Sequence, residues 1–189
     1  MNTWPNQRLN ALKWILLPGL AVFVSDQILK IYTAKELMPN QMSPLLNQDW
    51  LHWTRAPNSG VVFQSLEMLY NPENALWTRY VPAFCLFLLG WLILRGLFKN
   101  RSSSSVRVSL VGCSLFWFGG LSNVLSHFNS LFVDDTLSMR FFPGGRIFTF
   151  NIADMGLAFG MTLLGIALIN MTARQVTLGG IMAPQLPKQ

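Results

Sequence analysis

Residues 151–172 read NIADMGLAFGMTLLGIALINMT. Apart from Asp154, this stretch carries no charged side chain. A helix needs roughly 20 mostly apolar residues to cross the hydrocarbon core of a bilayer. An ionisable residue inside such a span is energetically costly and is a functional candidate by default. The stretch therefore predicts a membrane-spanning helix that carries one candidate functional carboxylate.

Three further windows have the same apolar character, and they cover residues 14–33, 75–98 and 106–128. In the whole chain 51% of residues are hydrophobic and 12% are charged, whereas about a quarter are charged in soluble domains. We therefore predict one integral membrane domain over residues 1–189, all-α with a small β element and with four transmembrane helices. The β element is expected in the long connections 34–74 and 129–150, because Trp50–Thr54 alternate and Pro143–Gly145 favour a turn.

The basic residues indicate how the chain is oriented in the membrane. Short loops rich in Lys and Arg stay in the cytoplasm. Such residues flank the spans at both ends of the chain and in the short loop after the second span: Arg8, Lys13, Arg95, Lys99, Arg101, Arg107, Arg174 and Lys188. Both termini are therefore predicted to be cytoplasmic. All eight acidic residues then lie in the outer loops or in the outer parts of spans.

Composition also argues against several other classes of protein. The net charge of +6 is explained by the flanking cations, and no basic run with interleaved aromatics indicates nucleic-acid binding. Cys85 and Cys113 lie inside apolar runs without a Cys-x-x-Cys pair, so we predict no metal site and no cofactor. The first apolar run contains Asp26 and Lys30 and is expected to be a retained span rather than a cleaved signal peptide.

Several polar residues recur at helical spacing inside or beside the spans. Asn151 and Asp154 share a helix face, where Asp154 is either a functional carboxylate or a helix-start residue favoured by the dipole. Asn123 lies on a stripe of the third window with Gly120 and His127, and the glycines Gly156 and Gly160 predict close helix packing.

Charged residues elsewhere are open to more than one interpretation. Asp26 and Lys30 are spaced i, i+4, and we favour a structural ion pair over a catalytic role for them. Asp134 and Asp135 follow the third window, where ordinary solvated charge is the alternative to a site.

Four motifs together resemble those of the lipoprotein signal peptidases (signal peptidase II), in order and in topological position. They are Asp26-Gln27-x-x-Lys30, Asn58-x-Gly60-x-x-Phe63, Gly119-Gly120-x-x-Asn123 and Phe150-Asn151-x-Ala153-Asp154. The resemblance covers roughly residues 14–173.

This resemblance implies an aspartic endopeptidase of the bacterial inner membrane, with its active site at the outer face on a β-cradle-like loop. Its substrates would be diacylglyceryl-modified prolipoproteins, whose signal peptides are removed before the modified cysteine. The catalytic pair carries over to Asp135 and Asp154, with Asp134 as the alternative if the loop is shifted. Asn58, Gly60, Asn123 and Asn151 would bind substrate or support the pair. Membrane lipids are the other expected partners, and we expect a monomer.

The chain departs from the family pattern and is predicted to be a divergent member. Ser126-His127 replace a common Asp-Arg, Val61-Val62 replace two small residues, and Gln64 and Met155 stand where Ser is frequent. An arginine fork is not replaced by a neutral histidine. The alternative function is therefore a catalytically impaired relative that binds lipid-modified peptides without cleavage. A small transporter or channel is disfavoured, because the sequence has no inverted repeat.

Overall fold

The structure is a computed structural model, and it describes residues 4–45, 48–58, 104–130, 132–142 and 144–181 together with residues 84, 86–88, 90, 91 and 95. Within these residues, three helices have defined bounds, α1 (Trp4–Glu36), α2 (Ser104–Asn129) and α3 (Ile152–Ile181). Four strands lie between them, β1 (Met42–Leu45), β2 (Gln48–Asn58), β3 (Val133–Arg140) and β4 (Ile147–Phe150). The predicted combination of long helices with a small β element is confirmed.

Each helix contains one predicted span and continues past it. The windows 14–33 and 106–128 fall within α1 and α2, and the window 151–172 begins one residue before α3. All three helices extend past their windows into polar sequence. Among the described residues, two segments are long and apolar enough to cross a membrane, Arg107–Asn129 and Ile152–Asn170. The predicted window 75–98 lies mostly outside the described residues, although those of its residues that are described are helical.

The helices pack closely because small residues line their contacts. A Cβ atom added to Gly160 of α3 would lie 2.6 Å from the Phe116 backbone nitrogen and 2.7 Å from the Gly112 carbonyl oxygen of α2. A Cβ atom on Gly119 of α2 would lie 2.6 Å from the Ala153 carbonyl oxygen. The predicted close approach at this glycine face is therefore confirmed, and it brings the C-terminal part of α2 against the start of α3.

The strands form one antiparallel sheet in the order β1-β2-β3-β4. It is attached to the end of α1, because Trp53 stacks on Tyr32 and donates its indole N–H to Thr33 Oγ1 at 2.7 Å. Arg55 also donates to the carbonyl oxygens of Ala34 and Leu37, which lie at and just beyond the end of that helix. The sheet is thereby held over the ends of the helices.

The turn between β3 and β4 forms where the sequence predicts it. Gly144 adopts a φ of 72°, which favours glycine, and Gly145 donates its N–H to the Phe142 carbonyl oxygen at 2.9 Å. Phe141, Phe142 and Phe148 are exposed on this hairpin. Because β4 leads through Asn151 directly into α3, the hairpin lies close to the start of an apolar segment.

Candidate active site

Strand alternation separates the two neighbouring aspartates of β3. Successive side chains of a strand point to opposite faces. Asp135 is buried, with 2% of its surface exposed, whereas Asp134 forms an ion pair with Arg55 in which Nε and Oδ2 are 3.5 Å apart. The structure therefore brings Asp135, rather than the alternative Asp134, into the cluster described below.

Three side chains donate hydrogen bonds to the Asp135 carboxyl group. Asn151 Nδ2 donates to Oδ1 at 3.3 Å, Asn58 Nδ2 donates to Oδ2 at 3.2 Å, and Thr149 Oγ1 lies 2.9 Å from Oδ2. Burial raises the pKa of Asp135 above its usual value, and the charge of Asp154 raises it further. The hydrogen bonds from Thr149 and Asn58 and the charge of Lys30 act in the opposite direction.

Asp154 lies in the first turn of α3 and forms a reciprocal cap with Asn151. The Asp154 N–H donates to Asn151 Oδ1 at 2.8 Å, and the Asn151 N–H donates to Asp154 Oδ2 at 3.1 Å. This is the hydrogen-bond pattern of a capping box, so the helix-start interpretation of Asp154 holds as well. Asn151 also donates to Asp135, and it therefore links the two carboxyl groups.

A second chain of contacts reaches Asp154 from α1. The Lys30 ammonium lies 2.6 Å from Asp26 Oδ2 and donates to Asn123 Oδ1 at 2.9 Å. Asn123 Nδ2 in turn donates to Asp154 Oδ1 at 2.7 Å. An ammonium can only donate, so it holds the amide oxygen of Asn123 towards itself and directs the amide N–H groups at Asp154.

Asp26 is fully buried and joins all three helices. Its Oδ2 accepts the Ser122 hydroxyl of α2 at 2.7 Å, and its Oδ1 accepts the backbone N–H of Ala153 in α3 at 3.0 Å. The residue thus satisfies a backbone donor at the start of α3, beside Asp154, and also forms the ion pair with Lys30.

Some residues of the site were not expected from the sequence. Thr149 contacts Asp135, and Ser126 accepts a hydrogen bond from Lys30 at 3.2 Å. Residues two positions apart in an extended strand point to the same face. Thr149 lies two positions before Asn151, and this spacing is the sequence signal that could have identified it. Gly60 and the nearby departures Val61, Val62 and Gln64 lie outside the described residues.

The cluster contains two carboxyl groups that both contact Asn151. Two acids that interact closely do not both ionise at low cost, and such a pair retains one proton. The hydrogen bonds to Asp135 and Asp154 described above all come from neutral amide groups or from a hydroxyl group, and they orient both carboxyl groups. The arrangement is suited to general acid–base chemistry on a bound substrate.

Comparison with known proteins identifies related sequences. The profile of the family described as Signal peptidase (SPase) II matches residues 19–170. The lipoprotein signal peptidase of Moorella thermoacetica is 27% identical over 149 residues, which cover 79% of this chain and 88% of that protein. The lipoprotein signal peptidase of Chlorobium phaeobacteroides is 26% identical over 161 residues, covering 81% and 88%.

Solved structures share the fold. One bacterial membrane enzyme matches with a TM-score of 0.59 and 21% identity over 92% of each chain. A second matches with a TM-score of 0.56 and 23% identity, covering 80% of this chain and 90% of the other. Since the family profile covers most of the sequence and contains the whole carboxylate cluster, the chain belongs to the signal peptidase II family.

Proposed function

We propose that this chain is an aspartic endopeptidase that removes the signal peptide from diacylglyceryl-modified prolipoproteins in the bacterial inner membrane. The observation that carries the proposal is the position of Asn151, which hydrogen-bonds to both Asp135 and Asp154. Two carboxyl groups act on one substrate bond only if both are held within reach of it, and a residue bonded to both holds them in a fixed relative position.

In this proposal the two carboxyl groups share one proton. The ionised member removes a proton from water, and the protonated member polarises the scissile carbonyl group. The raised pKa of Asp135 favours retention of the proton within the pair. Because interacting acids titrate as a unit, the pair is described by two pKa values that belong to both residues.

The topology follows from the same proposal. The chain forms one domain with four spans and cytoplasmic termini, and it places the sheet and the carboxyl pair at the outer face. The exposed aromatic side chains of the β3–β4 hairpin support this placement, because aromatic residues are enriched where protein meets lipid headgroups. Membrane lipids are accordingly its other partners, and it acts as a monomer.

The proposal is tested with purified protein in proteoliposomes and a lipid-modified prolipoprotein as substrate. Asp135→Asn and Asp154→Asn are each expected to reduce cleavage by about 10² to 10⁴, the range typical of a lost general acid or base. Asp134→Asn is the matched control. It changes the adjacent carboxylate of the same strand, which forms a long and partly exposed ion pair, and it should leave cleavage within a few-fold of wild type.

The alternative function predicts a different result in the same experiment. Ser126 accepts a hydrogen bond from Lys30 at a position where the family commonly has an acid, so the surroundings of the pair are altered. A relative that binds without cutting would crosslink to the prolipoprotein and release no signal peptide. Cleavage that survives the combined change of Asp135 and Asp154 to Asn would refute the aspartic mechanism itself.

A further inference from the structure

Thr149 occupies a distinctive position beside the carboxyl pair. It lies on β4, it is exposed, and its hydroxyl is 2.9 Å from Oδ2 of the buried Asp135. The register of the sheet pairs Thr149 with Ser138 of β3, so the sheet fixes its backbone relative to the strand that carries Asp135. A β-branched side chain is stiff at χ1, and its hydroxyl is therefore held in place.

The hydroxyl differs chemically from the other two groups that contact Asp135. The amide nitrogens of Asn58 and Asn151 can donate a hydrogen bond but cannot accept one. The Asn151 amide oxygen already accepts the Asp154 N–H, which fixes the orientation of that amide. Asn58 would have to turn its amide over to accept, whereas the Thr149 hydroxyl can donate or accept by rotating its hydrogen alone.

Asp135 must be stable in two protonation states if the pair shares a proton. When the carboxyl is ionised, Oδ2 accepts hydrogen bonds from Thr149 and Asn58. When Oδ2 carries the proton, it needs an acceptor, and the Thr149 oxygen is already within hydrogen-bond distance. A buried O–H group left without an acceptor would lose the free energy of that hydrogen bond.

We propose that Thr149 is a positioning residue of the carboxyl pair. Its hydroxyl donates to Asp135 Oδ2 when the carboxyl is ionised and accepts from it when the carboxyl is protonated. Threonine keeps its own hydrogen throughout and transfers no proton, so Asp135 remains in one orientation as the pair gains and loses its proton. This inference rests on the proposed peptidase function, and it adds a residue that none of the family motifs in the sequence contains.

The test compares Thr149→Val with Thr149→Ser in the full chain in proteoliposomes. Valine keeps the shape of threonine without the hydroxyl, and serine keeps the hydroxyl. We expect Thr149→Val to lower kcat about five- to tenfold with little change in KM, as for one lost hydrogen bond near the reacting groups. Thr149→Ser should recover most of kcat. Thr162→Val is the control, since Thr162 is exposed on α3 and bonds to the Ala158 carbonyl oxygen of its own helix.

The pH profile separates positioning from packing. Thr149 bonds to both protonation states of Asp135, but a hydrogen bond to the charged carboxylate is the stronger one, so the net effect of Thr149 is to lower the pKa of Asp135. Loss of the hydroxyl should therefore move the limb of the profile that reports Asp135 to higher pH. Thr149→Ser should restore that limb. Equal losses in Thr149→Val and Thr149→Ser with an unmoved profile would instead assign a packing role and overturn the inference.

The outcomes for Thr149 and for the proposed function remain distinguishable. If the wild type cleaves and Thr149→Val cleaves with the same rate and pH profile, the inference about Thr149 is overturned. The proposed peptidase function is then unaffected. If the wild type does not cleave, the infrared carbonyl band of protonated Asp135, identified by its loss in Asp135→Asn, still reports the hydrogen bond. That band must shift in Thr149→Val and return in Thr149→Ser, and an unshifted band overturns the inference.

Discussion

The packing of α2 against α3 allows a quantitative prediction for Gly160→Ala. The added Cβ atom would lie 2.6 Å from the Phe116 nitrogen and 2.7 Å from the Gly112 oxygen, whereas ordinary contact begins near 3.4 Å. Both neighbours are backbone atoms and cannot rotate away, so the helices must separate locally by about 0.8 Å.

The expected cost follows from this clash. Overpacking of this kind costs about 1–3 kcal/mol, and the higher helix propensity of alanine offsets about 1 kcal/mol of it. The net loss is then up to about 2 kcal/mol, and for a chain of this size we expect a fall in Tm of up to roughly 8 °C. The same separation, carried to the N-terminal end of α3, would lengthen the 2.7 Å bond from Asn123 to Asp154 towards 3.5 Å, where a hydrogen bond is lost. We therefore expect cleavage to fall about tenfold or more.

Gly165→Ala is the matched control, because it lies on the same helix and its added Cβ atom meets no atom of the described residues within 4 Å. It should keep full activity and a Tm at or slightly above that of the wild type. Thermal unfolding of the detergent-purified protein, followed by tryptophan fluorescence, measures the stability, and prolipoprotein cleavage measures the activity. If Gly160→Ala proved as stable and as active as Gly165→Ala, the inferred helix contact would be wrong.

Three further predictions concern the carboxyl groups and their supports. Asp26→Asn and Lys30→Met should each destabilise the protein by about 3–5 kcal/mol, because each change leaves a buried charge unpaired. The double variant should lose at least about 2 kcal/mol less than the sum of the two single losses. Thermal or denaturant unfolding of the four proteins measures this, and strictly additive losses would contradict it. Asn123→Leu should lower kcat about 10²-fold by removing the donor to Asp154, with Asn123→Gln assayed beside it for partial recovery. Asp135→Asn should raise Tm at pH 8 while abolishing cleavage. Because the pKa of Asp135 is raised in the fold, its carboxyl stabilises the protein below the usual pKa of 3.8, and this stabilisation is lost as the pH rises through the folded pKa. The gain in Tm should therefore vanish in melts at pH below 4.

The helices and the helix-borne residues of the site were accessible from local sequence pattern. Hydropathy places the windows of α1, α2 and α3, and the i, i+3 and i, i+4 spacings of Asn151 with Asp154 and of Asp26 with Lys30 correspond to contacts in the structure. The predicted windows end earlier than the helices, because a hydropathy window covers only the apolar part of a helix. Backbone hydrogen bonding continues into polar residues, as at the end of α3 near Ile181.

The remaining contacts depend on tertiary structure that a single sequence does not contain. The choice of Asp135 over Asp134 depends on which face of β3 points inwards, and that is decided by the pairing of β3 with β2 and β4. The contact between Thr149 and Asp135 depends on the register of two strands. No periodicity reports that the carboxylate of Asp26 meets the Ala153 N–H, because these groups lie 127 positions apart.

The bond from Ala153 to Asp26 has a consequence for the order of events during synthesis. The acceptor lies in α1 and the donor lies in α3, 127 positions later, so the ribosome must have made both helices before the two groups can meet. Until α3 enters the bilayer, Asp154 and its cap with Asn151 are absent, and half of the carboxyl pair is missing. The cluster around Asp135 and Asp154 is therefore absent from a nascent chain that stops before α3, and it assembles only when α3 packs against α1 and α2.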